Sequence, residues 1–277
     1  MDGQTMGRFA TTVPLYEKLR PPYPAEFFRN VAQRLHLGKE QALIDLGTGP
    51  GLLALGFAPY VGRIVGVDPE PAMLAATRKA AADASMAITL IESKAEALPS
   101  DAGKFDVVTI GRALHWMDVD AIAALFERLV APDGRIVVCS SNSAADGRNP
   151  WLDEYNKARR SWSVPSAGER YHGQLGAVLQ DTQFHITEAI TVETSRQLRV
   201  SDLARRVLTF SSSSPAVLGN KAEPMLRDIE RCLLPLSCEG FLTEVVVSTA
   251  QVANRKGPAE GVIGPGASRR QDLSEGA

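Results

Sequence analysis

Cysteine is scarce in this chain, and the three present, Cys139, Cys232 and Cys238, show no paired metal-ligand spacing. That pattern suits a reducing compartment and gives no reason to expect a metal. Neither sign of charge is in excess: the formal net charge is -2 and the pI is near 6.1. No general pull toward nucleic acid follows, and no block of like charges suggests a membrane surface. A basic stripe with interleaved aromatics is also missing, which argues against an RNA partner. No stretch reaches about 18 uninterrupted apolar residues, and the N-terminus lacks an apolar signal core. Neither a membrane span nor export is expected, so the expected location is cytoplasmic. Hydrophobic residues make up 44% of 277, enough to fill the core of one α/β domain.

The densest information lies in Asp45-Leu46-Gly47-Thr48-Gly49-Pro50-Gly51, which follows the apolar run Ala42-Leu43-Ile44 and precedes a helix-like segment. Glycine enters left-handed backbone conformations and lets a ligand approach without a side chain in the way. A glycine-rich turn from strand to helix is therefore a loop for a nucleoside-linked cofactor. Gly47, Gly49 and Gly51 are spaced G-x-G-x-G, whereas a dinucleotide fingerprint needs its third glycine at the position of Leu52. A pyrophosphate cradle is thus disfavoured. A second apolar run, 63–67, ends in Asp68, 21 positions after Gly47, about where an acid reaches a ribose in such folds.

Short apolar runs at 42–46, 63–67, 88–91, 105–110 and 135–139 read as strands. Between them 52–60, 71–84 and 119–130 have helical apolar spacing, with Pro71 tolerated in a first turn. Such alternation predicts a parallel sheet with helices on both faces. From Asn142 a polar loop begins, and 150–160, 201–210 and 222–235 look helical, as an inserted cap would. Segments 184–193 and 242–252 are strand-like. The stretch from Lys256, with Gly257-Pro258 and Gly264-Pro265-Gly266, lacks apolar period and reads as a disordered tail.

Four ordered motifs resemble the class I S-adenosylmethionine-dependent methyltransferases of the small-molecule, type 11, trans-aconitate-methyltransferase-like branch. They are the DLGTGPG loop, Gly66-Val67-Asp68-Pro69, Ala95-Glu96-Ala97-Leu98-Pro99 and Leu129-Val130-Ala131-Pro132-Asp133-Gly134-Arg135. The resemblance spans roughly residues 8–141. It implies a Rossmann-like, seven-stranded, mostly parallel sheet with a helical cap inserted after the fifth strand, segments 184–193 and 242–252 being its last two strands. The expected organisation is a cofactor-covering arm and helix (1–40), a cofactor-binding core (41–141), cap plus final strands (142–255) and a tail (256–277). The implied cofactor is S-adenosyl-L-methionine, with S-adenosyl-L-homocysteine (SAH) as product. The implied partner is a small-molecule acceptor, methylated on a carboxylate or hydroxyl oxygen. A cofactor-binding member that does not methylate, such as a cyclase or a partner-binding subunit, would carry the same loop.

The resemblance also assigns residues. Gly47, Thr48 and Gly49 let the backbone approach the methionyl part and ribose. Asp45 orients the loop, its carboxylate meeting the methionyl amino group or else capping the turn. Asp68, followed by Pro69, accepts from both ribose hydroxyls, or simply caps a helix. Met73 contacts adenine or fills core. Where the family often has an acid that meets the adenine amino group, this chain has Lys94; backbone at Ala95 and Glu96, or the Glu96 carboxylate, takes over. Arg112 meets the cofactor carboxylate or an anionic substrate. Tyr16, Arg20, Pro21, Pro22, Tyr23 and Pro24 match the Y-x-x-x-R-P-x-Y-P entrance of related enzymes, with Arg20 meeting the cofactor carboxylate and a tyrosine its edge. His115, with Trp116 beside it, is the candidate general base for a hydroxyl acceptor; a carboxylate acceptor needs none. Tyr23, Trp116, Trp151 and Tyr155 are candidates for the acceptor pocket, with Trp162, Tyr171, His172 and Phe210 as further cap aromatics. Arg159, Arg160, Arg170, Arg205 and Arg206 either hold an acidic substrate or form a solvated face.

Overall fold

The structure is a computed structural model, described here for residues 13–162, 174–210 and 213–256. Arg170, Tyr171, His172 and the tail beyond Lys256 lie outside those residues. In chain order the elements are α1 (Val13–Leu19), α2 (Ala25–Arg34), β1 (Ala42–Leu46), α3 (Leu52–Phe57), β2 (Arg63–Asp68), α4 (Pro71–Asp83), β3 (Thr89–Glu92), β4 (Phe105–Gly111), α5 (Val119–Leu129) and β5 (Val130–Ser143). They continue with α6 (Leu152–Trp162), α7 (Leu175–Val178), β6 (Phe184–Arg199), α8 (Val200–Arg205), α9 (Pro215–Leu218), α10 (Ala222–Leu233) and β7 (Phe241–Arg255).

The seven strands form one sheet in the order β3-β2-β1-β4-β5-β7-β6, with β7 antiparallel to both neighbours and the remaining pairs parallel. Strands buried on both faces carry continuous apolar runs, and alternate residues serve opposite cores. Leu43, Val107 and Val137 pack with Phe27, Phe28, Leu53 and Phe57 of α2 and α3. Their neighbours Ile44, Val108 and Ile136 pack with Ile122 and Phe126 of α5. A third core, around Trp151, Leu203, Val207, Met225, Ile229 and Leu242, belongs to the cap.

Two features differ from the expected outline. Strand β5 does not yield to a polar loop at Asn142, because Asn142 and Ser143 are paired with Val247 and Val246 of β7. Strands β6 and β7 likewise run on together to Arg199 and Phe241, and α8 starts at the next residue, Val200. The cap helices therefore come from two connections, α6 and α7 after β5 and α8 to α10 after β6. Among the described residues no helix is long and apolar enough to cross a membrane, and no group of three His, Cys, Asp or Glu is placed to hold a metal ion.

Candidate functional site

In an open parallel sheet, ligands sit beyond the carboxyl ends of the strands where the strand order reverses. Here that place lies between β1 and β4, and the glycine loop emerges there. Gly47, Gly49 and Gly51 all have positive φ, at 70°, 56° and 87°. The loop's amides are used internally: Gly47 and Thr48 donate to the Val67 carbonyl at 2.8 and 2.9 Å, and Gly51 to the Thr48 carbonyl at 2.9 Å. Gly49 donates to Asp68 Oδ2 at 2.8 Å. With these amides occupied, the loop has little of the N–H display that cradles a phosphate, in keeping with its spacing.

The three glycines serve different ends. A Cβ on Gly47 would lie 2.5 Å from the Ala113 Cβ, and one on Gly51 would lie 2.7 Å from the Thr77 methyl. One on Gly49 would meet nothing within 4 Å. Gly49 thus faces open space at the cleft, where a ligand can lie flat against backbone. Gly49→Ala is expected to cost about 1–2 kcal/mol of stability from its left-handed φ. Its SAH affinity should fall at least tenfold, read by calorimetry beside a thermal melt; a melt-only change would make Gly49 a purely conformational glycine.

Asp68 is 8% exposed at the end of β2. Its Oδ2 accepts from Gly49 N and its Oδ1 from Glu70 N at 2.9 Å. A carboxylate has about four lone-pair sites, so one on each oxygen is left for a vicinal diol. Burial raises its pKa, and the two backbone amides pull it back. Asp45 is placed differently: its Oδ2 accepts from Thr48 Oγ1 and its Oδ1 from Thr109 Oγ1, both at 2.7 Å. Both oxygens are engaged inside the protein, so Asp45 ties the loop to β4. Burial pushes its pKa up to about 6, against the two hydroxyl bonds that lower it.

A carboxyl whose pKa is raised on folding adds stability below its unfolded value near 4, and that stability is lost as pH rises through about 6. Asp45→Asn should therefore flatten the pH dependence of stability between about 4 and 6. It should also raise stability at pH 7.5 by up to about 2–3 kcal/mol, as urea unfolding at both pH values would show.

The arm from Leu19 to Pro22 is clamped carbonyl by carbonyl. Arg206 Nε donates to the Leu19 carbonyl at 2.8 Å, and Ser141 Oγ to the Pro22 carbonyl at 2.8 Å. Arg112 Nη2 bridges the Pro21 and Ser141 carbonyls. Arg112 has φ 58°, a left-handed conformation costly for a non-glycine residue, and its Cζ lies 5.1 Å from the Tyr23 ring centroid. Arg20 Nη2 donates to the Thr209 carbonyl at 3.0 Å, while its Cζ lies 4.0 Å over Phe210 and 5.2 Å over Tyr16. The structure thus brings Tyr16, Arg20, Tyr23 and Arg112 together beside the end of β4. Arg206 in turn is held by Glu244, Nη1 to Oε1 at 2.7 Å and Nη2 to Oε2 at 2.9 Å. This pair and Ser141 were not among the residues singled out above as ligands of the cofactor, and Glu244 was not singled out at all.

Other candidates lie further out or deeper in. Met73 and Ala95 are buried and Pro69 is half-buried. Glu96 Oε1 accepts from the Asp118 amide at 3.0 Å, anchoring the turn before α5, and Lys94 is exposed. His115 and Trp116 stand exposed on a short turn after β4, ring centroids 5.0 Å apart. Trp151 is 1% exposed in the cap core and donates Nε1 to the Thr243 carbonyl at 2.8 Å, which places it in packing rather than on a pocket wall. Tyr155 is buried beside it, its hydroxyl without a hydrogen-bond partner. Trp162 donates to Asp228 Oδ2 at 3.0 Å.

Residues 44–138 match the family model described as a methyltransferase domain. Those residues are therefore similar to a methyltransferase domain. Among curated relatives, nocamycin O-methyltransferase of Saccharothrix syringae is 36% identical over 136 residues, 44% of this chain and 48% of that one. The matched stretch spans about half the length of such relatives, from 42% to 56% for the first two and 48% here. Among solved structures, a candidate type II methyltransferase from Anaeromyxobacter dehalogenans has a TM-score of 0.61 at 21% identity, covering 85% of this chain and 97% of that one. A methyltransferase from Geobacter sulfurreducens, solved with S-adenosyl-L-homocysteine, has a TM-score of 0.53 at 15% identity over 89% and 98% of the two chains. At those identities the structures share the fold with this chain, and the family model covers the glycine loop, Asp68 and the end of β4.

Proposed function

We propose that this chain binds S-adenosyl-L-methionine across the ends of β1 and β2 and transfers its methyl group to an oxygen of a small-molecule acceptor. The observation that carries the reading is the bond from Gly49 N to Asp68 Oδ2. It joins the loop glycine that opens onto the cleft to a carboxylate with acceptor sites to spare for a ribose. The Geobacter neighbour solved with the product nucleoside, and the O-methyltransferase among the relatives, support the same reading.

When bound, the cofactor supplies a methyl carbon already activated by a sulfonium, so the protein's work is positioning and exclusion of water. Asp68 holds the ribose side, the glycine loop receives the methionyl side, and the clamped arm with Arg20 and Tyr23 covers it. Met73 and Ala95 offer an apolar wall to adenine. His115 stands on the turn beyond β4 and serves as base when the acceptor is a hydroxyl. The test is release of SAH from S-adenosylmethionine across a panel of small acids, phenols and alcohols. Acceptor-dependent SAH release establishes the transfer. Conversion without SAH would make this a non-methylating member, and cofactor binding with no conversion would make it a binding protein. If His115→Gln keeps full turnover of a hydroxyl acceptor, the base is another group.

A further inference from the structure

The strand order leaves the sheet two free edges, β3 and β6. A free edge is a row of unpaired amides and carbonyls, and proteins blunt it by keeping it short or by setting lysine or proline in it. Strand β3 is blunted by length, at 4 residues. Strand β6 runs for 16 residues without lysine, proline or glycine. Its one irregularity, a bulge between Ile186 and Glu188, lies near its start and leaves Glu188 to Arg199 in regular register with β7. Among the described residues no strand pairs with its outer side. An open groove of about 610 Å³ lies between α2 and this edge, lined by Asn30, Gln33 and Arg34 of α2 and by Glu188, Ala189 and Ile190 of β6.

The charges on the regular stretch suit a second copy of the same strand. In an antiparallel pair about a two-fold axis, facing residues lie on one side of the sheet, so each register is centred on a residue that faces itself. Centring on Glu193 would set two carboxylates against each other. Centring on Val192 sets Glu188 opposite the partner's Arg196, once on each side of the axis, and Ala189 opposite the partner's Ser195. Opposite charges facing across strands stabilise the pair, and like charges destabilise it. Arg196 and the buried Arg206 share the single carboxylate of Glu244, which leaves a positive excess there. A facing Glu188 offsets that excess, while Arg34, its exposed partner at 2.7 Å, keeps its access to water. We propose that β6 is a homodimer interface, at which two copies join their β6 edges antiparallel about Val192 and extend one sheet through both. The cofactor cleft takes no part in it, because β5 and β7 stand between β6 and β4.

Analytical ultracentrifugation of the full chain over a dilution series measures the dimer. Ala189 and Ser195 are exposed, so variants there test the edge without disturbing a core. Ala189→Lys combined with Ser195→Lys, which sets like charges opposite each other, should weaken the dimer about tenfold or more. Ala189→Lys combined with Ser195→Glu restores opposite charges and should hold the dimer within threefold of wild type. Ala189→Cys combined with Ser195→Cys should cross-link two chains under mild oxidation. Ala189→Cys alone should cross-link no more than wild type, which has an exposed thiol of its own at Cys238. A wild-type chain that stays monomeric at every concentration overturns the proposal. So does a dimer that the lysine pair leaves intact and the cysteine pair fails to capture, since it would form through another face.

Discussion

Glu244→Ala is expected to lower stability by about 3–5 kcal/mol, the loss typical of removing one partner from a buried ion pair. For a chain of this size that is a fall in melting temperature of roughly 6–20 °C. The side chains of Glu244 and Arg206 are 0% and 4% exposed, so the surviving guanidinium has little water to turn to. Ser143 Oγ also donates to Glu244 Oε1 at 2.7 Å, and Arg196 Nε to Oε2 at 2.7 Å, so both of these lose their acceptor along with the two Arg206 nitrogens. Burial alone would raise the Glu244 pKa; the bonds and charge of Arg206 outweigh it and hold the value below 4.5. A depressed carboxyl adds stability above its unfolded pKa and loses it as pH falls through the folded one. The wild-type chain should therefore lose this contribution below about pH 4.5, and the variant should show a shallower acid limb. A Glu244→Ala melt within about 2 °C of wild type would mean that the junction relaxes around the gap. Because Arg206 Nε holds the Leu19 carbonyl, the same variant should loosen the arm that carries Arg20 and Tyr23.

Asp68→Ala should reduce affinity for SAH by about a hundred- to ten-thousandfold, the loss of two hydrogen bonds to a charged acceptor at about 1.5–3 kcal/mol each. The carboxylate does two jobs, fixing Gly49 N and Glu70 N through one site on each oxygen and leaving the others for the ribose diol. Alanine loses both jobs. An asparagine in its place would keep the shape and one acceptor oxygen, so Asp68→Asn should lose much less, near tenfold. Calorimetric titration of the three proteins measures the order. Affinity of Asp68→Ala within threefold of wild type would remove Asp68 from the cofactor site and leave it as a helix-entry cap.

What was legible in the chain was whatever depends on near neighbours and on period. Strand β1 lies at 42–46 as the apolar run predicted, and the strands expected at 63–67 and 105–110 end within one residue of Asp68 and Gly111. The glycine spacing located the cleft, because left-handed φ is a local property of the backbone. One signal was present and went unused: Leu242, Glu244, Val246 and Ser248 alternate onto the buried face of β7, so an acid stood in apolar phase. Its meaning depended on Arg206, on another element 38 positions away.

The side-chain pairings that assign roles are of the same long-range kind. Asp45 is engaged by Thr109, 64 positions on, and Arg112 by Pro21, 91 positions back. Trp151 is turned into the cap core by the Thr243 carbonyl, 92 positions on. The sequence by itself determined the α/β layering and the place of the glycine loop, since hydrophobic period and backbone freedom act within a few residues. Tertiary structure alone decided which carboxylate keeps free acceptor sites and which arginines hold the arm. Those outcomes turn on desolvation and hydrogen-bond geometry, which exist only once distant segments meet.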